Sequence, residues 1–249
     1  MSFKNKVVIV TGASSGIGAS ASIMFSKEGA RVVMVGRNET KLSAVAAKCS
    51  SPLVIRADLA NDDDARSIID QTIKKFGQID ILVNNAGMTM ENGGILANDM
   101  MKAYDIIMNI NLRAVVHLTN LAAPYLVKTK GNIVNISSIA GIMAPFGVGM
   151  TNYYTSKAAL NHFSVCCATE LGPHGVRVNV LSPGPVRTDF MDNAKAAFTW
   201  DDFPSKTLLN RVSEPEEIAD MILYLASDKA KSVTGSNYVN DNGMLIKRT

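Results

Sequence analysis

Three features of the sequence predict an α/β fold built on a doubly wound parallel sheet with helices on both faces. Short β-branched apolar runs recur along the chain, about seven of them, in the manner of strands buried on both sides. Segments of helix length separate successive runs, so each strand returns to the sheet through a crossover, which makes neighbours parallel. The turn after the first run is rich in glycine and opens directly into a helical pattern.

The elements follow in order. Residues 6–11 (KVVIVT) form a buried-type strand and 19–27 a helix; 31–35 and 39–48 repeat the pair, and 53–57 give a third strand. Asn61 supplies an N-cap, and Asp62, Asp63 and Asp64 an acidic first turn, for a helix reaching Phe76. A strand over 79–84 precedes one long helix over 99–127, and 132–137 make the fifth strand. A helix over 152–172, a strand over 176–181, a helix over 214–227 and a last strand over 237–240 complete the alternation. Residues 185–212 break the rhythm after Pro183-Gly184-Pro185 and predict a lid or excursion beside the site. With no internal repeat and no low-complexity linker, residues 1–249 are expected to form a single domain.

Composition narrows the function class. A hydrophobic fraction of 47% with 19% charged residues is ordinary for a globular enzyme. The net charge of +3 is dispersed, and its densest group, Lys128-Thr129-Lys130, is short, which argues against a nucleic-acid partner. Cys49, Cys166 and Cys167 make an odd count without a Cys-x-x-Cys, and His117, His162 and His174 stand apart, so no metal site is expected. The N-terminus runs straight into a strand, leaving no room for a signal peptide. Residues 131–156 lack charge but are broken by Asn, Ser, Gly and Pro, so no membrane span is expected there. Together these features point to a cytoplasmic protein.

Two constellations carry chemistry. Between the first strand and first helix lies Thr11-Gly12-Ala13-Ser14-Ser15-Gly16-Ile17-Gly18. Glycines there permit a tight turn and close approach of backbone N–H groups to a pyrophosphate at a helix N-terminus. At the end of the second strand, where an acid would bind an adenosine ribose diol, stands Gly36, followed by Arg37 and Asn38. A guanidinium suits a ribose 2′-phosphate, so the expected cofactor is NADP(H). The second constellation is Tyr153 with Lys157, one helical turn apart. A neighbouring ammonium favours phenolate and lowers the tyrosine pKa toward useful acid–base chemistry.

With Asp58-Leu59, Asn84-Asn85-Ala86-Gly87, Asn111, Ser138 and Pro183-Gly184-Pro185-Val186-Arg187-Thr188 added, the chain resembles the classical short-chain dehydrogenase/reductase family over essentially its whole length. Each motif is common singly, but their order and spacing together are specific. The resemblance implies a Rossmann-type domain in which Asp58 and Leu59 meet the adenine end, and Asn85, Ala86 and Gly87 shape the sheet centre beside the adenosine ribose. It implies that Ser138 hydrogen-bonds the substrate oxygen, that Tyr153 exchanges the proton and that Lys157 binds the nicotinamide ribose. Asn111 would hold a water linking Lys157 to solvent, while Pro183, Gly184, Val186 and Thr188 would line the nicotinamide.

Local physics favours these positions over their neighbours. Tyr154 meets Ala158 four residues on and so lacks a cation; Ser137 and Ser138 point to opposite faces of a continuing strand, so only one can reach the substrate, and the resemblance picks Ser138; Asn109 lies about 200° round a helix from Asn111, so both cannot serve one site. There are also departures from the family pattern. The loop from Ser138 to Tyr153 is about two residues long in excess, and Asp241-Asn242-Gly243 stands where Asp-Gly-Gly is usual, which puts that turn in question.

The expected reaction is reversible hydride transfer between nicotinamide and a carbonyl or secondary alcohol, in the direction of reduction. Thr89, Ile139, Phe146, Phe190 and Trp200, with Met88, Met143, Pro145, Val148, Met150, Met191 and Phe198 nearby, make an apolar set. This favours an apolar ketone or aldehyde (steroid-like, isoprenoid, aromatic or fatty). A 3-oxoacyl thioester reductase and a non-catalytic NADP-sensing protein are the alternatives. The helix over 152–172 carries apolar residues at every azimuth, so more than one side needs cover, and a homo-oligomer, dimer or tetramer, is expected.

Overall fold

The computed structural model describes residues 1–90, 94–145, 147–191 and 199–247. Strands β1 (Val7–Thr11), β2 (Arg31–Gly36), β3 (Leu53–Arg56), β4 (Ile81–Asn84), β5 (Asn132–Ile136), β6 (Arg177–Pro183) and β7 (Asn237–Asn240) form one sheet. Their order is β3-β2-β1-β4-β5-β6-β7 and every neighbouring pair is parallel. The chain winds outward from β1 to β3, then crosses to β4 and winds the other way. The strand order therefore reverses between β1 and β4, the place where such sheets open a crevice at their carboxyl ends.

Alternation along the strands divides the core into two layers. Val8 and Val10 of β1 pack with the layer of α1 (Gly16–Lys27), α2 (Glu39–Ala46) and α7 (Pro215–Ala226), where Phe25, Leu42 and Ile222 are buried. Val7 and Ile9 face the layer of α3 (Asp62–Phe76), α5 (Ala114–Thr129) and α6 (Thr151–Leu171), against Ile68, Leu118 and Ala168. Asn61 caps α3 by accepting from the amides of Asp63 and Asp64, and Gly77 ends the helix with φ of 75°.

The long helix differs from expectation. Residues 100–129 are helical throughout, but α4 (Met100–Met108) passes into a π-helical turn, Asn109–Arg113, before α5 begins. The wider turn takes up an extra residue without ending the helix, and the side chain of Asn111 inside it is tied to another loop, as described below. By length and composition, with mean hydropathy 1.2 over 18 residues, this run is apolar enough to cross a membrane. In the fold, Ala103, Ile107, Ala114, Leu118, Ala122 and Leu126 are buried as part of the core.

A polar ladder crosses the middle of the sheet. Asn84 and Asn135 sit opposite each other on β4 and β5, and Asn84 Nδ2 donates to Asn135 Oδ1 at 2.8 Å. Asn135 Nδ2 then donates to Ser164 Oγ on α6 at 2.8 Å. These buried amides are partnered, so they fix the seating of α6 on the sheet and avoid an unsatisfied desolvation cost. The C-terminal turn also forms. Asn242 adopts φ of 53°, which asparagine tolerates, while the Asp241 carboxylate accepts from the amides of Gly243 and Leu245 at 2.8 and 2.7 Å.

Candidate active site

The glycine-rich turn is locked to the loop after β4. Thr11 Oγ1 accepts from the amides of Asn85 and Ala86, each at 3.0 Å, and Asn85 Nδ2 donates to the Thr11 carbonyl at 2.9 Å. Gly12 has φ of +66°, and a Cβ there would lie 2.8 Å from Asn85 Nδ2. A Cβ on Gly18 would lie 2.3 Å from the Gly12 carbonyl oxygen, so this glycine is required by close approach. The turn forms one wall of a cleft of about 1090 Å³ at the carboxyl ends of the strands. All the dinucleotide residues expected from the sequence line this cleft except Gly18, which buttresses the turn from behind.

At one end of the cleft Arg37 is exposed, and Asn38 caps α2 by accepting from the Lys41 amide at 2.9 Å. Asp58 and Leu59 lie along the same end. The Asp58 amide donates to Asp64 Oδ2 at 2.7 Å, which fixes the loop after β3 to the first turn of α3.

At the other end, Ser137 and Ser138 separate as alternation requires. Ser137 is buried and donates to the Lys157 carbonyl at 3.2 Å, pinning α6 to the end of β5. The next turn presses on the same place, since a Cβ on Gly141 would come 2.7 Å from the Lys157 carbonyl carbon. Ser138 faces the cleft, and its hydroxyl accepts from the Ala140 amide at 3.1 Å. Lys157 is 3% exposed, and its ammonium donates to the Ile136 carbonyl at 3.0 Å. Asn111 lies behind the lining: Oδ1 accepts from the Met88 amide, and Nδ2 donates to the Met88 carbonyl, both at 2.8 Å, and to Ser156 Oγ at 3.0 Å. Its side chain thus clamps the loop after Gly87.

The protonation landscape corrects one expectation. Burial pushes the Tyr153 phenol up to about 12; the Ser138 hydrogen bond opposes this, and Tyr154 adds to it. Burial also brings Lys157 down to about 8. The ammonium lies over the tyrosine ring, 5.8 Å from its centroid, and its hydrogen bond is directed at Ile136. Desolvation of both groups therefore outweighs their attraction.

At the substrate end, Thr89, Ile139, Phe190 and Trp200 line the cleft, with the Phe190 ring 5.6 Å from that of Tyr153. Phe146 and Phe198 lie outside the described residues, and Pro145 is not among the lining residues.

Known proteins share this sequence pattern and fold. The family described as enoyl-(acyl carrier protein) reductase matches residues 12–245. The 3-oxoacyl-(acyl-carrier-protein) reductase FabG of Thermotoga maritima is 34% identical over 255 residues, covering 99% of this chain and 100% of that protein. A short-chain dehydrogenase/reductase of Caenorhabditis elegans, solved with cofactor, superposes with a TM-score of 0.93 at 32% identity over 99% of this chain and 97% of that one. The chain is a classical short-chain dehydrogenase/reductase. A further relative, (+)-borneol dehydrogenase 2 of Salvia officinalis, is 33% identical over 252 residues, 96% of this chain and 88% of that protein.

A short-chain dehydrogenase/reductase is an oxidoreductase that uses a nicotinamide cofactor, and the cradle here suits a dinucleotide. The backbone approaches within Cβ distance at Gly12 and Gly18, and at Gly87 an added Cβ would come 3.3 Å from Lys157 Nζ. Sequence reasoning missed other lining residues of this dehydrogenase. Lys41 stands in the first turn of α2, four residues after Arg37, and the capping Asn38 between them could have revealed it. Asp189, Asp202, Phe203, Lys206 and Met244 arrive through the excursion and the C-terminal turn, where no periodicity announces them. Among the described residues, no cluster of His, Cys, Asp or Glu could hold a metal ion.

Proposed function

We propose that this single-domain enzyme is an NADP(H)-dependent carbonyl reductase acting on an apolar ketone or aldehyde. The observation that carries the reading is Tyr153 set beside Lys157, with Ser138 facing the same cleft, which is walled by Ile139, Phe190, Met143 and Met150. Arg37 at the far end, with glycine where an acid would stand, supports preference for a 2′-phosphorylated nucleotide. The residues lining the cleft from Gly12 to Thr188 would hold a nicotinamide nucleotide, which when bound would supply hydride chemistry. Ser138 and Tyr153 hold the carbonyl oxygen through their hydroxyls, and Tyr153 gives that oxygen its proton as the carbon accepts the hydride. The high phenol pKa keeps Tyr153 protonated at neutral pH, as an acid for reduction must be. Lys157 would hold the ribose hydroxyls of the bound nucleotide, and a water near Asn111 would return protons to Tyr153.

A 3-oxoacyl thioester is the second reading, favoured by the name of the Thermotoga relative, just as that of the Salvia relative favours an apolar alcohol. NADPH oxidation measured across apolar ketones, sugars and acyl thioesters separates them. Turnover of apolar ketones alone upholds the first reading, and turnover of thioesters alone replaces it. Tight NADPH binding without turnover of any class would instead indicate a cofactor-sensing protein. The three free cysteines accord with a reducing, cytoplasmic setting. The outward faces of α5 and α6, where Val116 and Val165 are exposed, support self-association as a dimer or tetramer.

A further inference from the structure

Thr188, Asp189 and Phe190 are consecutive, yet each meets a different part of the site. Thr188 lies on the glycine turn, where a Cβ on Gly16 would come 2.8 Å from its Cγ2, and its carbonyl accepts from Trp200 Nε1 at 2.9 Å. Phe190 packs beside Tyr153, with ring centroids 5.6 Å apart. Between them, Asp189 Oδ2 forms an ion pair at 2.6 Å with Lys41 Nζ, 148 residues away in sequence, on α2. Lys41 is held in place at its own amide, which donates to Asn38 Oδ1 at 2.9 Å. Lys41, Asp189, Gly16 and Thr188 all line one cleft. The ion pair thus joins the two lips of the cleft, α2 on one side and the excursion on the other.

We infer that Lys41 and Asp189 form a clasp across the cleft that retains the bound nucleotide, which makes both of them positioning residues for turnover. The inference rests on a nicotinamide nucleotide occupying the cleft, whichever nucleotide that is. An ion pair spanning the mouth has to open before the nucleotide leaves, so it acts on the rate of release, and it also keeps Phe190 seated on Tyr153. Both side chains are about half exposed, 50% for Lys41 and 41% for Asp189. Water and salt therefore weaken the pair, and the effect is modest, about two- to fivefold in rate.

The test is stopped-flow release of NADPH and of NADH, followed by energy transfer from Trp200, the sole tryptophan of the chain. Lys41→Met and Asp189→Asn are each expected to speed release of both nucleotides by about two- to fivefold, with the double variant no faster than either single one. Lys41→Arg should restore the wild-type rate, and added salt should bring the wild type toward the variants while leaving them unchanged. The unfolding midpoint without nucleotide should stay the same in all variants. Unchanged release in Asp189→Asn would overturn the clasp. So would slower NADPH release in that variant, since it would show Lys41 to be a phosphate ligand for which Asp189 competes. A wild type that prefers NADH would contradict the NADP reading alone, because the clasp is read from variant-to-wild-type ratios within each nucleotide.

Discussion

The Lys157 ammonium donates to the carbonyl of Ile136 at 3.0 Å and meets Tyr153 only across the face of its ring. Two groups that sequence spacing pairs as cation and phenol are thus held beside each other by separate anchors. The consequence is a protonated tyrosine at neutral pH, with the lysine as a buried charge beside it.

Tyr153→Phe removes the proposed acid and leaves the ring contacts. It is expected to retain NADPH binding while lowering turnover by about 10²–10⁴, the range for a positioned general acid. Tyr154→Phe should be nearly neutral. Equal behaviour of the two variants in steady-state assays would refute the assignment.

Charge-assisted hydrogen bonds to a 2′-phosphate contribute roughly 1.5–3 kcal/mol, about 10- to 100-fold in preference. Arg37→Ala should therefore weaken NADPH binding far more than NADH binding in calorimetric titrations. Equal losses for the two nucleotides would exclude the role.

Lys157 titrates at about 8 in the fold against an ordinary 10.5. Below the folded value the lysine is charged in both folded and unfolded chains, and its burial destabilises the fold in full. As pH rises from 8 toward 10.5, the unfolded chain holds a proton that the folded chain lacks, so stability increases. Tyr153 acts oppositely, but only above its ordinary 10.0, where its contribution is lost as pH rises toward about 12. Urea unfolding of the wild type relative to Lys157→Met should therefore show a gain on the order of 1–3 kcal/mol between about pH 7 and about pH 10. A pH-independent difference would count against the buried ammonium.

Self-association is expected through α5 and α6. The buried face of α6 carries Asn152, Ser156, Lys157, Leu160, Ser164 and Ala168, whereas Val165 and Cys166 point outward. Sedimentation equilibrium at micromolar concentration should give a dimer or tetramer, and Val165→Glu should dissociate it. An active wild-type species of 26.7 kDa would rule this out.

The sequence by itself determined the sheet, because strands buried on both faces need unbroken apolar runs, and all seven lie within two residues of their expected ends. The glycine turn and the one-turn spacing of Tyr153 and Lys157 were legible in the same way, since close backbone approach and helical spacing are local properties, whereas Ser138 was singled out from Ser137 only by the family resemblance. Only the tertiary structure decided the π turn at Asn109–Arg113, because the force that holds it comes from Asn111 reaching Met88 on another loop. The same holds for the pKa values, where burial by the whole fold outweighs the neighbour visible at four residues' distance. The Lys41–Asp189 pair spans 148 residues of chain, and no periodicity links such positions, so it becomes visible only when the excursion folds back over the cleft.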